Sequence, residues 1–117
     1  MLTFSTTTPA PAAFIIHLQG PLNALTYQAL ESELDRLIGE EGAKLVVLDT
    51  KHLEFLSSVG IRVLVKALKN LQANGGDLRV MQVPAVIQAV FDIIALFPAG
   101  DSFATSADLD RHLATRK

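Results

Sequence analysis

The sequence predicts an α/β protein: a mixed sheet of four to five strands with about four helices mainly on one side. Three observations predict it. Short apolar runs alternate with stretches whose apolar residues recur at helical spacing. One run, Leu45-Val46-Val47-Leu48, is apolar throughout and bounded by turn residues, as in a parallel strand covered on both faces. Glycine and proline stand where the period changes, at Gly20-Pro21, at Gly39 to Gly42, at Gly75-Gly76 and at Pro84.

Each element follows from its residues. Residues 2–5 read as a short strand, and Thr6 to Ala13 as a Thr/Pro/Ala turn or loop. Phe14 to Gln19 is the next strand, with Phe14, Ile16 and Leu18 on one face. Gly20-Pro21-Leu22-Asn23 breaks it, and Thr26 is the expected N-cap of a helix over 26–38. Tyr27, Leu30, Leu34, Leu37 and Ile38 form that helix's apolar stripe. After the strand at Lys44–Asp49, a second helix spans about 58–74, with Ile61, Leu64, Val65, Leu68 and Leu71 inward. Arg62, Lys66 and Lys69 make its basic outer line, and Asn74-Gly75-Gly76 stops it. Asp77 to Val83 is a strand halted by Pro84, which suits the first turn of a helix over 85–96. A short strand near Ser102–Thr105 precedes a last helix, 107–115, capped by Ser106. The order is β(β)αβαβα(β)α, with parallel pairs joined by right-handed crossovers. No linker divides residues 1–117, so a single domain is expected.

Composition narrows the function classes. At 117 residues the chain can bury a core, and half of it is hydrophobic. A net charge of −2 gives no electrostatic case for nucleic acid or a membrane surface. The chain has no cysteine, so disulfides and thiolate metal sites are excluded. With no tryptophan and one tyrosine, platforms for stacking bases are scarce. Residues 1–14 lack the basic start and apolar run of a secretory signal, and no apolar stretch reaches the roughly 18 residues of a membrane span. The expected location is the cytoplasm, without direct membrane insertion.

The chemistry-bearing candidates are few. Ser57 and Ser58 stand where a loop becomes a helix. A helix start offers unpaired N–H groups and a partial positive charge, which stabilise a phosphate on a serine or receive an acidic group. The plain alternative is that one serine only caps the helix. Asn23 is either a turn former or part of a contact loop. His17, His52 and His112 share no ligand spacing, so neither a metal nor another cofactor is expected. Ser58, His52 and Asp49 could be imagined as a triad, but no G-x-S-x-G elbow supports it, and no enzyme activity is expected. Gly75-Gly76 lacks the Lys-Ser/Thr of a phosphate loop and reads as a helix stop. The helix at 85–96 is apolar on most sides, which points to deep burial or a contact surface. Val59, Val63 and Ala67 form a second apolar strip beside the basic line.

Three segments, with a fourth short match downstream, carry a resemblance over nearly the whole chain. Gly20-Pro21-Leu22-Asn23-Ala24-Leu25-Thr26 is similar to G-x-L-D-x-x-T/S. Val46 to Leu56 is similar to a strand followed by D-L-S-x-V and an aromatic lead-in. Ser57-Ser58-Val59-Gly60-Ile61-Arg62-Val63-Leu64 is similar to D-S-S-G-L-x-x-L, and Asn74 to Leu78 matches G-G-x-L. In this order and spacing they resemble the STAS domain of bacterial anti-sigma factor antagonists and sulfate-transporter tails.

The resemblance implies a regulatory binding module. In that family a kinase that is also an anti-sigma factor phosphorylates a serine at this helix start. The unphosphorylated form captures the kinase and frees the sigma factor. Val59 aligns with the usual acceptor, Ser57 with the family's Asp, and Asn23 with its acidic residue. Ser58 is therefore the expected acceptor and Ser57 the second candidate. The expected contact face comprises Asn23, Ser57, Ser58, Val59, Arg62, Lys66 and Lys69. The expected partner is a kinase-type anti-sigma factor in a partner switch; homodimer formation is left open. The alternative is a cytoplasmic STAS subunit of a membrane-associated lipid-transport ATPase.

Overall fold

The computed structural model describes residues 1–97 and 102–115. Among them, four strands form one sheet: β1 (Thr3–Ala10), β2 (Ala13–Leu22), β3 (Leu45–Leu56) and β4 (Asp77–Met81), in spatial order β1-β2-β3-β4. β1 is antiparallel to β2; β2–β3 and β3–β4 are parallel. The helices are α1 (Tyr27–Gly39), α2 (Ser58–Ala73), α3 (Ala85–Ile93) and α4 (Ser106–Thr115).

Side-chain alternation along the strands builds two cores. Phe14, Ile16 and Leu18 of β2, Val46 and Leu48 of β3, and Leu78 and Val80 of β4 pack with Leu30, Leu34 and Leu37 of α1, Leu64 and Leu71 of α2, and Ile87 and Phe91 of α3. Ala13, Leu45, Val47 and Met81 point the other way, against Phe103 and Leu109. Three helices therefore cover one face and α4 the other. This double cover explains the unbroken apolar run at 45–48.

Several boundaries differ from the sequence reading. Residues 6–10 belong to β1, not to a loop, because the threonines pair with β2: Thr6 faces Ile16 and Thr7 faces Ile15. A register shift between Thr7 and Ala10 takes Pro9 out of the ladder. Gly20 and Pro21 lie within β2. β1 pairing ends at Thr3–Gln19, so the N–H that Pro21 lacks leaves no β1 bond unmade. Gly20 has φ +100°, and a Cβ there would lie 2.6 Å from the Met1 carbonyl oxygen, so glycine is required on both counts.

β3 continues to Leu56, seven residues beyond Asp49, where β4 pairing stops at Met81. Its far half pairs with Gln19–Leu22 through two register shifts. Buried Thr50 closes the end of the β3–β4 ladder by donating its hydroxyl to the Met81 carbonyl at 3.1 Å. The short strand expected near 102–105 is one parallel bridge, Met81 with Phe103. α3 stops at Ile93, short of 96, where Ala95 and Phe97 turn to positive φ. Thr105, not Ser106, caps α4: its hydroxyl accepts the Asp108 N–H at 3.2 Å.

Candidate functional site

The C-terminal ends of β2 and β3 lie side by side and launch the two segments that carry the candidate residues. Leu22 faces Leu56 across the ladder, and the Leu22 carbonyl accepts the Ser57 N–H at 3.0 Å. The β2–α1 turn is thereby fixed beside the start of α2. Gly60 seats that start: a Cβ on it would fall 2.8 Å from Leu22 Cγ and 3.0 Å from Leu56 Cδ1.

The two serines have different roles. Ser57 is the N-cap, extended at φ −87° and ψ 171°, and its Oγ accepts the Gly60 N–H at 3.2 Å. Ser58 is the first helical residue and is exposed. No acidic side chain occupies the first turn of α2, so nothing there offsets the positive end of the helix dipole. Val59 is half-buried beside them.

The β2–α1 turn is latched from within. Asn23 Oδ1 accepts the Leu25 N–H at 2.9 Å. Thr26 Oγ1 accepts the Asn23 N–H at 2.9 Å and donates to the Pro21 carbonyl at 2.9 Å. Thr26 was the expected N-cap of α1; it holds the N-cap position, but its side chain makes no cap bond, because the turn uses it. Asn23 likewise spends its side-chain oxygen on its own loop. Leu25, at the tip, is 94 % exposed.

Arg62, Lys66 and Lys69 are exposed along α2. At about 1.5 Å of rise per residue, Lys66 and Lys69 lie roughly 12 and 16 Å along the helix from Ser58. Lys66 Nζ stands 3.4 Å from Glu31 Oε2 and 3.9 Å from Asp35 Oδ1, so it bridges α2 to α1. The structure thus brings Asn23, Ser57, Ser58 and Val59 together, with Arg62 one turn on, and sets the two lysines farther along.

Asp49 and His52 do not assemble with Ser58. Asp49 Oδ2 lies 2.8 Å from His17 Nδ1, and Thr7 Oγ1 lies 3.2 Å from His17 Nε2. This network ties β1, β2 and β3. Its partners lie far apart in sequence and are joined by the parallel register that sets His17 opposite Asp49. Among the described residues, no group of three or more His, Asp or Glu is placed to hold a metal ion. Nor is any helix there long and apolar enough to cross a membrane. A hollow of about 300 Å³ between α2 and β4, lined by Leu68, Gln72, Leu78, Val80, Leu96 and Phe97, includes none of the candidate residues. The candidate residues thus line a surface at the end of the sheet.

Sequence reasoning missed the exposed apolar residues of this surface. Leu25 and Phe55, which is 54 % exposed, both sit at this end. The available signal was a leucine inside a turn that has no helical or strand period to bury it.

The comparisons agree with the fold. The family model described as STAS domain matches residues 5–109. The candidate anti-sigma factor antagonist BtrV of Bordetella bronchiseptica is 32 % identical over 93 residues, spanning 77 % of this chain and 79 % of BtrV. The anti-sigma F factor antagonist of Paenibacillus polymyxa is 28 % identical over 83 residues, 71 % of each chain. Among solved structures, the anti-sigma factor antagonist SpoIIAA in its unphosphorylated form superposes with a TM-score of 0.84 at 17 % identity, covering 98 % of this chain and all of that one.

Proposed function

The chain belongs to the STAS domain family, and from that premise we propose that it is an anti-sigma factor antagonist: a binding protein, not an enzyme, that works in the cytoplasm. The relation to BtrV supports the class of partner, an anti-sigma factor. The finer reading is a partner switch in which that anti-sigma factor is itself a kinase. Asn23, Ser57, Ser58, Val59 and Arg62 form the contact face, with Lys66 and Lys69 on its far flank.

One observation carries the switch: Ser58 is an exposed hydroxyl in the first turn of α2, where no acidic group competes with a phosphate. Phosphate adds roughly −1.5 to −2 charge, which the helix end tolerates in the free protein and an apolar interface does not. Ser57 is the second candidate, because its oxygen already serves as the cap. Val59 has no hydroxyl to offer.

The test uses the ATPase-type anti-sigma factor from the same genome. Calorimetry should detect a complex with the unmodified chain. Incubation with ATP, followed by mass spectrometry, should place phosphate on Ser58 and abolish the complex. A complex without phosphate on either serine would leave a constitutive binder. No complex at all would remove the antagonist reading and favour the transport-assembly alternative.

A further inference from the structure

We infer that the exposed crest of α2 docks on an acidic patch of the anti-sigma factor, with Arg62 as its central cation and Lys69 as the second. The inference rests on the reading just given and assigns the chemistry of its contact.

α2 carries three cations and no carboxylate, in a chain whose net charge is −2. The three cations are not equivalent. Lys66 leans to α1, where Glu31 and Asp35 hold it. Arg62 and Lys69 are exposed, and among the described residues no carboxylate pairs with either. Seven residues apart, they lie on one stripe, about two turns or roughly 10 Å along the helix from each other. Ser58 precedes Arg62 by one turn on that stripe. The start of α2 adds a positive helix end that no acidic side chain offsets. Half-buried Val59, beside Ser58, gives the contact an apolar part.

The count and placement of charge identify the occupant. Two unpaired cations are too few for a nucleic-acid backbone, whose binders make on the order of six to ten phosphate contacts. They are also too few for an anionic membrane, which takes clusters of about four to eight basic residues. They match about two or three carboxylates on a protein surface, and a guanidinium meets a carboxylate with two parallel hydrogen bonds. A second copy of the chain does not offer such a patch. Its carboxylates are mostly paired within the chain already. Those with no cationic partner among the described residues, Glu40, Glu54, Asp92 and Asp110, lie singly in the turn after α1 and on β3, α3 and α4. A negative charge at Ser58 meets Arg62 one turn on, as a favourable i,i+4 pair, and repels the carboxylates across the contact. The acidic patch thus links the crest to the switch.

The experiment measures binding of the full chain to the ATPase-type anti-sigma factor from the same genome, by calorimetry and by surface plasmon resonance. Arg62→Gln should weaken binding by about tenfold or more and Lys69→Gln by about threefold, with unfolding midpoints unchanged at both exposed positions. Arg62→Lys should keep part of the affinity, and Lys66→Gln should stay within about twofold, because α1 already holds that charge. Wild-type affinity should fall by about tenfold between about 50 and about 500 mM salt, chiefly through slower association, and by less in Arg62→Gln. Ser58→Asp should weaken binding more in the wild-type chain than in Arg62→Gln. A wild-type complex that Arg62→Gln leaves within about twofold, or whose affinity ignores salt, would overturn the acidic patch and leave the antagonist reading intact. Binding of the chain alone to duplex DNA or to phosphatidylserine vesicles at about 150 mM salt, lost in Arg62→Gln, would assign the cations to phosphates and overturn it too. So would a dimer in analytical ultracentrifugation that Arg62→Gln dissolves. A wild-type chain that does not bind the anti-sigma factor at all would remove the antagonist reading, and the inference with it.

Discussion

The first turn of α2 rests directly on Leu22: a Cβ at Gly60 would lie 2.8 Å from Leu22 Cγ. Leu22 is fully buried, and Leu56, the other neighbour, is nearly so. Gly60→Ala should therefore overpack this seat at a cost of about 1–3 kcal/mol. The gain from a better helix former, about 1 kcal/mol, offsets only part of it in the middle and upper range of that cost. The thermal midpoint should fall by roughly 5 °C. An unchanged midpoint would mean that Leu22 has room to move aside.

The two serines should separate by stability. Ser57→Ala loses the cap to the Gly60 N–H and should cost about 1 kcal/mol in urea unfolding. Ser58→Ala, at an exposed position, should stay within about 0.5 kcal/mol. Ser58→Asp should raise stability by about 0.3–1 kcal/mol, because a negative charge meets the positive helix end. The same variant should bind the anti-sigma factor less tightly. Opposite signs for folding and for binding are the signature to look for.

Lys66 and Lys69 should behave differently under charge reversal. Lys66→Glu would place a carboxylate beside Glu31 and Asp35, and should lower stability by up to about 1 kcal/mol. Lys69→Glu should leave unfolding unchanged. If the basic line touches the partner, calorimetry will show weaker binding for Lys69→Glu alone.

Glu33 links stability to acid. The Arg36 guanidinium, hydrogen-bonded to it, holds its carboxyl below the usual range; partial burial opposes this, and the Thr6 hydroxyl adds to the lowering. A carboxyl lowered in the folded state contributes stability that is present above its unfolded value, 4.5, and is lost as pH falls through the folded value. Glu33→Gln should thus reduce stability at pH 7. The gap to wild type should close on acidification below 4.5 in paired urea titrations.

The sequence revealed the elements whose burial is periodic, and hid those whose state depends on a distant partner. Leu45–Leu48 is apolar because α1, α2 and α3 lie over one face and α4 over the other, and that reads directly. Thr50–Leu56 mixes Lys51, His52 and Glu54 with Leu53 and Leu56; it is a strand only because β2 extends to pair with it through register shifts. Thr26 has the residue type and place of a cap, but Asn23 and Pro21 compete for its hydroxyl and win. At the candidate site, the helix start and its serines were legible as a loop-to-helix change. The division of labour between Ser57 and Ser58 was not, since either could cap until the extended backbone of Ser57 settles it. His17 and Asp49 were invisible as a pair, because only the parallel register joins them.

The close approach of Met1 to Gly20 has a practical side. β1 runs antiparallel to β2, so Met1 lies at the edge of the sheet near the end of β2, against Gly20, three residues before Asn23. A purification tag or fluorescent fusion placed ahead of Met1 emerges beside Gly20, at the sheet end from which the β2–α1 turn leaves, not at a neutral pole of the molecule. Such a fusion would compete sterically with whatever docks there, and a weak signal would then report on the handle. Labels attached through α4, on the opposite face of the sheet, leave that edge open.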